Sequence, residues 1–182
     1  MKSVLLFVVL SVPVLLYSWK SLKAKQSHGF YRFLSWEAML ILLVFNIRFW
    51  FRNPFSFPQI VSWIFLLISI GLALPGFYLL KKHGKQAKTR QQNDLYAFEK
   101  TTQLVQTGIY RYIRHPMYSS LLFLTWGKFM KNPEWIFMGV AVLASLFLFL
   151  TARADENECI GYFGDTYRAY MKKTTRFIPF IF

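Results

Sequence analysis

The run Ile60–Leu80, IVSWIFLLISIGLALPGFYLL, contains no charged residue and decides the class of fold. A helix needs about 20 predominantly apolar residues to cross the hydrocarbon core of a bilayer. In a soluble domain of 182 residues, apolar residues would instead be divided among shorter segments around a mixed core. The run therefore predicts a membrane-spanning α-helix.

Further apolar runs along the chain suggest that it crosses the membrane several times. They are Val4–Trp19, Phe33–Phe51, Pro116–Met130 and Trp135–Thr151. We expect an all-α, polytopic membrane protein with about five transmembrane helices, the last two forming a hairpin that turns at Lys131–Pro133. The chain 1–182 is then a single membrane domain. Residues 1–80 hold three membrane helices, and 81–182 hold a polar loop, the hairpin and a helical C-terminal tail.

The net charge of +14 is distributed unevenly over the loops that such a topology creates. Of the 22 Lys and Arg residues, 17 fall on the side that holds the loop 81–115 and the C-terminal tail. Positively charged loops face the cytoplasm, so we expect an N-terminus outside and a cytoplasmic loop and C-terminus. Membrane lipids with anionic headgroups are the expected partners of this face. No nucleic-acid motif accompanies the charge, so we expect no nucleic-acid partner.

Other classes of protein fit the sequence less well. The N-terminal run resembles a signal peptide, but no small-x-small cleavage site follows Trp19, and we expect the helix to be retained. Cys159 is the one cysteine, which excludes an internal disulfide and a cysteine-based metal site. The three histidines are scattered, so we expect no metal.

The segment Gly108–Tyr118, GIYRYIRHPMY, places Arg114 and His115 directly before Pro116. Proline is favoured in the first turn of a helix, and the residue before it is driven out of the helical conformation. We therefore expect a helix that starts at Pro116 with His115 at its lip. The unpaired N–H groups and the positive dipole end of that helix form a site for an anionic group.

The C-terminal segment carries a second group of polar residues. Glu156, Cys159 and Phe163 share one helix face, which we expect to pack toward the loop, and Gly164 is a plausible C-cap. Asp155 falls on another face that looks more solvated. Glu37, Asn46 and Arg48 in the second apolar run have no function that the sequence assigns.

Together, these two blocks resemble the isoprenylcysteine carboxyl methyltransferase and phospholipid methyltransferase superfamily of integral membrane enzymes. The resemblance covers about residues 100–182. The residues that carry it are Leu104, Val105, Gly108, Tyr110, Arg114, His115, Pro116, Tyr118, Asp155, Glu156, Phe163, Gly164, Tyr167, Tyr170 and Arg176–Pro179. Asp155 departs from the family pattern, which usually has a glutamate there, so we assign Glu156 the larger role.

The resemblance implies that residues 81–182 bind S-adenosylmethionine as the cofactor, on the cytoplasmic side. Its carboxylate would meet Arg114, His115 and the start of the helix at Pro116, and its ammonium or ribose would meet Glu156. The full set of cofactor-binding residues implied is Gln103, Leu104, Val105, Gly108, Tyr110, His115, Pro116, Tyr118 and Glu156. The catalytic residues implied are Arg114, Glu156 and Arg153.

The acceptor implied is lipophilic and enters from the bilayer. The favoured reaction is carboxyl O-methylation of an isoprenylcysteine-like substrate, with Arg153 or Arg114 orienting the carboxylate. The alternative is N-methylation of a phospholipid amine, which would need Glu156 or His115 as a base. A second alternative is a non-catalytic membrane scaffold or small transporter. The sequence leaves the oligomeric state open.

Overall fold

The computed structural model describes residues 2–23, 27–85 and 101–179. Within these ranges the chain forms six α-helices and two short 3-10 helices, so the predicted all-α class is confirmed. The α-helices are α1 (Lys2–Lys23), α2 (His28–Asn46), α3 (Phe57–His83), α4 (Pro116–Phe129), α5 (Trp135–Phe163) and α6 (Asp165–Met171). The 3-10 helices are Ile47–Phe49 and Gly108–Arg111.

Four helices in the described ranges are long and apolar enough to cross a membrane. They are α1, α2 with the 3-10 turn that follows it, α3 and α5. The helix α4 has 14 residues, a length of about 21 Å, and a bilayer core is about 30 Å thick. The predicted polytopic architecture is therefore matched by four candidate spans, and a crossing by α4 stays a prediction.

The boundaries of α2 differ from the apolar run Phe33–Phe51. The helix begins at His28 because Ser27 is extended (φ −69°, ψ 157°) and its Oγ accepts a hydrogen bond from the N–H of Phe30 at 3.3 Å. It ends at Asn46, whose Nδ2 donates to the carbonyl oxygen of Lys128 at 3.0 Å. An amide that bonds to another helix fixes the end of α2 in a way that hydropathy does not record.

Small residues let the central helices approach closely. Ala38 and Met39 of α2 pack against Ala144 of α5 in one buried cluster, and the Ser35 hydroxyl donates to the carbonyl of Ala144 at 3.3 Å. The Ser62 hydroxyl of α3 donates to the carbonyl of Gly127 in α4 at 2.7 Å. Close packing and hydrogen bonds between helices drive association where the solvent is itself apolar.

The helices α4 and α5 run antiparallel. Phe129, at the end of α4, packs with Ala141 near the start of α5. Tyr118, at the start of α4, packs with Ala152 in the second half of α5. This arrangement places the residues before α4 beside the last third of α5, where the polar side chains of the C-terminal segment begin.

The three polar residues without an assigned function in the second apolar run have different environments. Glu37 accepts a hydrogen bond from the Ser11 hydroxyl at 2.7 Å, which joins α2 to α1. Asn46 is buried and joins α2 to the end of α4. Arg48 is exposed in the 3-10 turn. The first two are packing contacts of the bundle.

Candidate functional site

The segment that leads into α4 has a defined backbone geometry. Gly108 has φ 59°, a backbone conformation that favours glycine, and a Cβ atom there would lie 2.5 Å from Cδ1 of Leu79, which would have to move. His115 has φ −121° and ψ 61° and is the N-cap of α4, with Pro116 in the first turn. The predicted helix start at Pro116 is confirmed.

The C-terminal tail pairs with this segment backbone to backbone. Ile113 and Thr175 form a parallel bridge. The N–H of Arg114 donates to the carbonyl of Thr175 at 2.9 Å, and the N–H of His115 donates to the carbonyl of Arg176 at 3.2 Å. The Ser119 hydroxyl donates to the carbonyl of Phe177 at 2.7 Å. Residues about 60 positions apart thereby form one unit.

Glu156 of α5 is the electrostatic centre of this unit. Its side chain is 4% exposed and accepts hydrogen bonds from Nε of Arg114 at 2.9 Å and from Nη2 of Arg176 at 2.7 Å. Nε of Arg176 adds a third bond at 3.1 Å, and the guanidinium lies over the ring of Phe149 at 4.9 Å. A buried carboxylate with two arginines is compensated in charge and in hydrogen bonds.

Arg114 also holds the turn after α6. Its Nη1 donates to the carbonyl of Met171 at 3.1 Å and to the carbonyl of Thr174. The same guanidinium therefore bonds to α5 through Glu156 and to the tail through these carbonyls. Arg114 thereby links the segment before α4 to α5 and to the tail.

His115 lies between two carboxylates and is 6% exposed. Its Nδ1 is 3.5 Å from Oδ2 of Asp155, and its Nε2 is 3.4 Å from Oε1 of Glu156. Nε2 is buried and makes no hydrogen bond to any residue that the structure describes. The ring stacks on Tyr118 with centroids 5.3 Å apart. The imidazole is held in place by the two carboxylates and by the ring of Tyr118.

A cavity of about 120 Å³ opens beside His115. Its lining joins the end of α3, the segment before α4, the first turn of α4, the end of α5 and α6. The lining residues are Leu80, Thr101, Leu104, Val105, Tyr110, Arg114, His115, Pro116, Met117, Tyr118, Asp155, Cys159, Phe163, Tyr167 and Tyr170. The cavity is mostly apolar, with a small set of polar groups on one side, as is usual for small-molecule sites.

Three tyrosines of the wall are kept in their neutral form. Burial raises the pKa of Tyr110, Tyr167 and Tyr170 above the usual value of a phenol. The Tyr170 hydroxyl donates to the carbonyl of Tyr110 at 2.6 Å, and the Tyr110 hydroxyl donates to the carbonyl of Gly76 at 3.2 Å. These bonds tie α6, the segment before α4 and α3 into one wall.

The structure brings most of the sequence-predicted residues together. Those that line the cavity are Leu104, Val105, Tyr110, Arg114, His115, Pro116 and Tyr118. Gln103, Gly108 and Arg153 are exposed and lie outside the lining. Glu156 also lies outside the lining, and its carboxylate contacts two lining residues, Arg114 and His115. The part of the predicted loop at 86–100, and the last three residues of the tail, fall outside the described residues.

Asp155 does not lie where the helix-face prediction placed it. The carboxylate of Asp155, which the sequence placed on a more solvated face, lines the cavity and is 22% exposed. The thiol of Cys159 donates a weak hydrogen bond to Oδ1 of Asp155, with 3.6 Å between Sγ and Oδ1. Cys159 and Phe163 line the cavity as their shared face with Glu156 predicts. Helix periodicity predicts which residues of α5 share a face. It does not predict that Arg114 and Arg176 bond to Glu156, or where α6 packs.

The sequence named three further residues of the site only as part of the family resemblance and did not place them at the cofactor. Tyr167 and Tyr170 line the cavity, and Arg176 bonds to Glu156. The spacing of the two tyrosines, i and i+3 after Gly164, is the one local signal that could have placed them on a common helix face. For Arg176 the motif gave the position but not the contact, because its partner Glu156 is 20 residues away.

The family model described as phospholipid methyltransferase matches residues 57–166. The match covers more than half of the chain and runs from the start of α3 into α6. No curated protein and no solved structure matches the chain.

Proposed function

The chain belongs to the phospholipid methyltransferase family of integral membrane methyltransferases, and we propose that it methylates a lipophilic acceptor with S-adenosylmethionine as the methyl donor. The single observation that carries the proposal is the placement of His115. Its buried ring lies between Glu156 and Asp155 and lines a cavity at the N-terminus of α4.

The polar side of the cavity fits the charged groups of such a donor. Pro116 has no N–H, and the N–H group of Met117 precedes the first possible intrahelical bond of α4. This group and His115 suit a carboxylate. Asp155 faces the same space with a partly exposed carboxylate and suits a hydroxyl of the donor. When bound, the donor supplies an electrophilic methyl group on a sulfonium, for in-line displacement by the acceptor.

The apolar wall of the cavity excludes water. Val105, Tyr110 and Tyr167 are buried and surround the space with hydrocarbon and neutral phenols. Such a wall excludes water from the reacting groups, and positioning then contributes most of the acceleration. Glu156 acts through Arg114 and His115, which it holds in place, and we assign it a positioning role.

For the acceptor, the resemblance favours a carboxyl group, and one observation supports an amine. Arg114, the arginine of the described lining, already bonds to Glu156 and to two carbonyls, and Arg176 bonds to the same carboxylate. A carboxylate acceptor would meet Asp155 as a like charge. An ammonium acceptor would be attracted by Asp155, and Asp155 or His115 would take its proton before methyl transfer.

The membrane orientation is part of the proposal. Exposed cations are concentrated at the end of the bundle that carries the cavity; these are Lys20, Lys23, Lys81, Lys82, Lys85, Arg111, Arg153, Arg168, Lys172 and Lys173. At the other end the exposed cations of the described chain are Lys2, Arg48 and Arg52. This asymmetry supports a cytoplasmic cavity and C-terminus, an N-terminus outside, and α4 as a fifth crossing paired with α5.

The orientation is tested with single cysteines in a Cys159→Ala background. Arg52→Cys and Lys172→Cys are placed at opposite ends of the bundle, and both positions are exposed. In intact cells, a membrane-impermeant maleimide should label Arg52→Cys and should label Lys172→Cys only after the cells are opened. Labelling of Lys172→Cys in intact cells would reverse the proposed orientation.

The enzymatic class is tested by cofactor binding. Purified full-length protein in detergent should bind S-adenosylhomocysteine with micromolar or tighter affinity in calorimetry. No detectable binding would favour the non-catalytic scaffold. The acceptor is then tested by methyl transfer to phosphatidylethanolamine and to a farnesylated cysteine, compared at matched expression. A preference for farnesylated cysteine would restore the carboxyl acceptor that the resemblance predicts.

A further inference from the structure

The short helix α6 has a buried aromatic side and an exposed basic side. Tyr167 and Tyr170 are 3% and 4% exposed and line the cavity. Arg168, Lys172 and Lys173 are exposed and border a shallow groove on the other side of the helix. Asp165 also borders the groove, but its contact with Arg168 at 3.6 Å joins two solvated side chains and contributes little. The groove carries a net positive charge.

The position of α6 places this groove on the side of the membrane at which α5 ends. Only Gly164, with φ 59°, separates α6 from α5. Because α5 is long and apolar enough to cross a membrane, α6 follows it on the side that carries the cavity. Tyr162, 45% exposed in the last turn of α5, suits the headgroup level, where tyrosine rings are favoured.

We propose that the basic groove of α6, formed by Arg168, Lys172 and Lys173, binds the phosphate groups of anionic lipids and thereby stabilises the cavity wall. Lys and Arg side chains near an anionic leaflet are attracted to it, each by about fivefold in affinity. The inference goes beyond methyl transfer, because it concerns lipids that are not the acceptor and a surface outside the cavity.

The groove is coupled to the site through bonds on the opposite side of α6. The Tyr170 hydroxyl donates to the carbonyl of Tyr110, and Arg114 donates to the carbonyl of Met171. A lipid that binds the docked form of α6 more tightly than an undocked form shifts the population toward the docked form. By reciprocity, a ligand in the cavity then favours lipid binding to the groove.

The test is hydrogen exchange of the full-length protein in nanodiscs. One set of discs contains phosphatidylcholine alone, and the other also contains phosphatidylglycerol. The anionic discs should slow exchange of the amides in 165–177 by roughly fivefold to tenfold. High salt should remove the difference, since it screens exposed charges. Exchange needs no cofactor, so this result is independent of whether the proposed methyltransferase activity is correct.

Variants assign the effect to the groove. Joint Arg168→Gln, Lys172→Gln and Lys173→Gln should bring the ratio of exchange rates between the two discs close to one. Joint Arg48→Gln and Arg52→Gln, at the opposite end, should leave the ratio unchanged. A ratio that persists in the first variant would overturn the proposal. If the first variant fails to fold, joint Lys172→Gln and Lys173→Gln replaces it, and at least half of the effect should be lost.

Two further measurements, a control with free phosphate and a comparison of cofactor affinity, complete the test. Inorganic phosphate at millimolar concentration, added to phosphatidylcholine discs, should not slow exchange. If it does so to the same extent, the groove binds free phosphate, and the proposal of a lipid partner is wrong. In anionic discs the wild type should also bind S-adenosylhomocysteine several-fold more tightly than in neutral discs, and the groove variant should lose this gain. Equal affinity of the wild type in both discs would refute the coupling to the cavity.

Discussion

At the cavity end of the bundle, a buried carboxylate is paired with two arginines, whereas at the opposite end two lysines are buried. Nζ of Lys131 donates to Oε1 of Gln59 at 3.0 Å and lies 3.3 Å from the ring centroid of Trp63. Lys128 is 9% exposed, and its Nζ is 3.5 Å from the carbonyl of Met39. In the part of the chain that the structure describes, no acidic side chain pairs with either lysine.

The difference between the ends lies in what the buried charges face. Lys131 joins the α2–α3 connection to the α4–α5 connection, and the groups around it are protein groups. At the other end, His115 and Asp155 border a cavity. A buried charge by itself therefore does not indicate function, and a buried polar group that faces a cavity does. Cofactor affinity is the measurement that separates the two ends.

The largest effect on cofactor affinity is expected for Glu156→Gln. The change removes the charge that compensates Arg114 and Arg176, and loss of one partner from a buried ion pair costs about 3–5 kcal/mol. Because Arg114 and His115 then lose their positions, the affinity for S-adenosylhomocysteine should fall by roughly a hundredfold or more, and most methyl transfer should be lost. Calorimetry in detergent measures the affinity.

The matched control is Glu158→Gln on the same helix. Glu158 bonds to His28 at 2.8 Å and lies outside the cavity lining. This variant should unfold at a lower temperature but keep the cofactor affinity of the wild type. An equal loss of affinity in the two variants would show that Glu156 contributes only to stability.

The next effect is expected for His115→Ala. Loss of a hydrogen bond to a charged group costs about 1.5–3 kcal/mol, which corresponds to roughly tenfold to over a hundredfold in cofactor affinity. His28→Ala is the control, because His28 is also buried and also contacts a carboxylate, but it lies away from the cavity. Unchanged affinity in His115→Ala, measured by calorimetry on folded protein, would remove His115 from the cofactor site.

A smaller effect on cofactor affinity is expected for Asp155→Asn. The side chain is partly solvated, and the variant keeps its shape and its hydrogen-bonding capacity, so affinity should fall by less than about tenfold. Methyl transfer to an amine should fall more than methyl transfer to a carboxylate, because only the amine is attracted by the charge. Rates with phosphatidylethanolamine and farnesylated cysteine measure this. A larger loss with farnesylated cysteine would contradict the amine proposal.

No effect on cofactor affinity is expected for Lys131→Met at the opposite end. The change removes the bond to Gln59 and the contact with Trp63, which lowers stability by about 1–3 kcal/mol. For a chain of this size, that corresponds to roughly 2–4 °C in the unfolding temperature per kcal/mol. Circular dichroism in detergent measures the shift, with Arg48→Met as the exposed control. A loss of cofactor affinity would mean that the two ends are coupled.

Much of the fold could be predicted from local patterns. Charge-free runs gave α1, α3 and α5, because apolar composition over about 20 residues is a local property. Pro116 gave the start of α4, and Gly164 gave the end of α5, because both residues act through their own backbone geometry. The end of α2 at Asn46 was missed, since it depends on a bond to Lys128, 82 residues away.

The sequence by itself determined that this is a helical membrane protein of the methyltransferase superfamily and that Arg114, His115 and Glu156 belong together. These conclusions follow from composition, helix periodicity and two motif blocks. Only the tertiary structure decided which of these residues bond to each other and which line the cavity. The tail returns to residues 113–115 and delivers Arg176 to Glu156, which leaves Asp155 at the cavity. The reason is physical: periodicity sets the direction of a side chain on its own helix, whereas its partners depend on how distant segments pack.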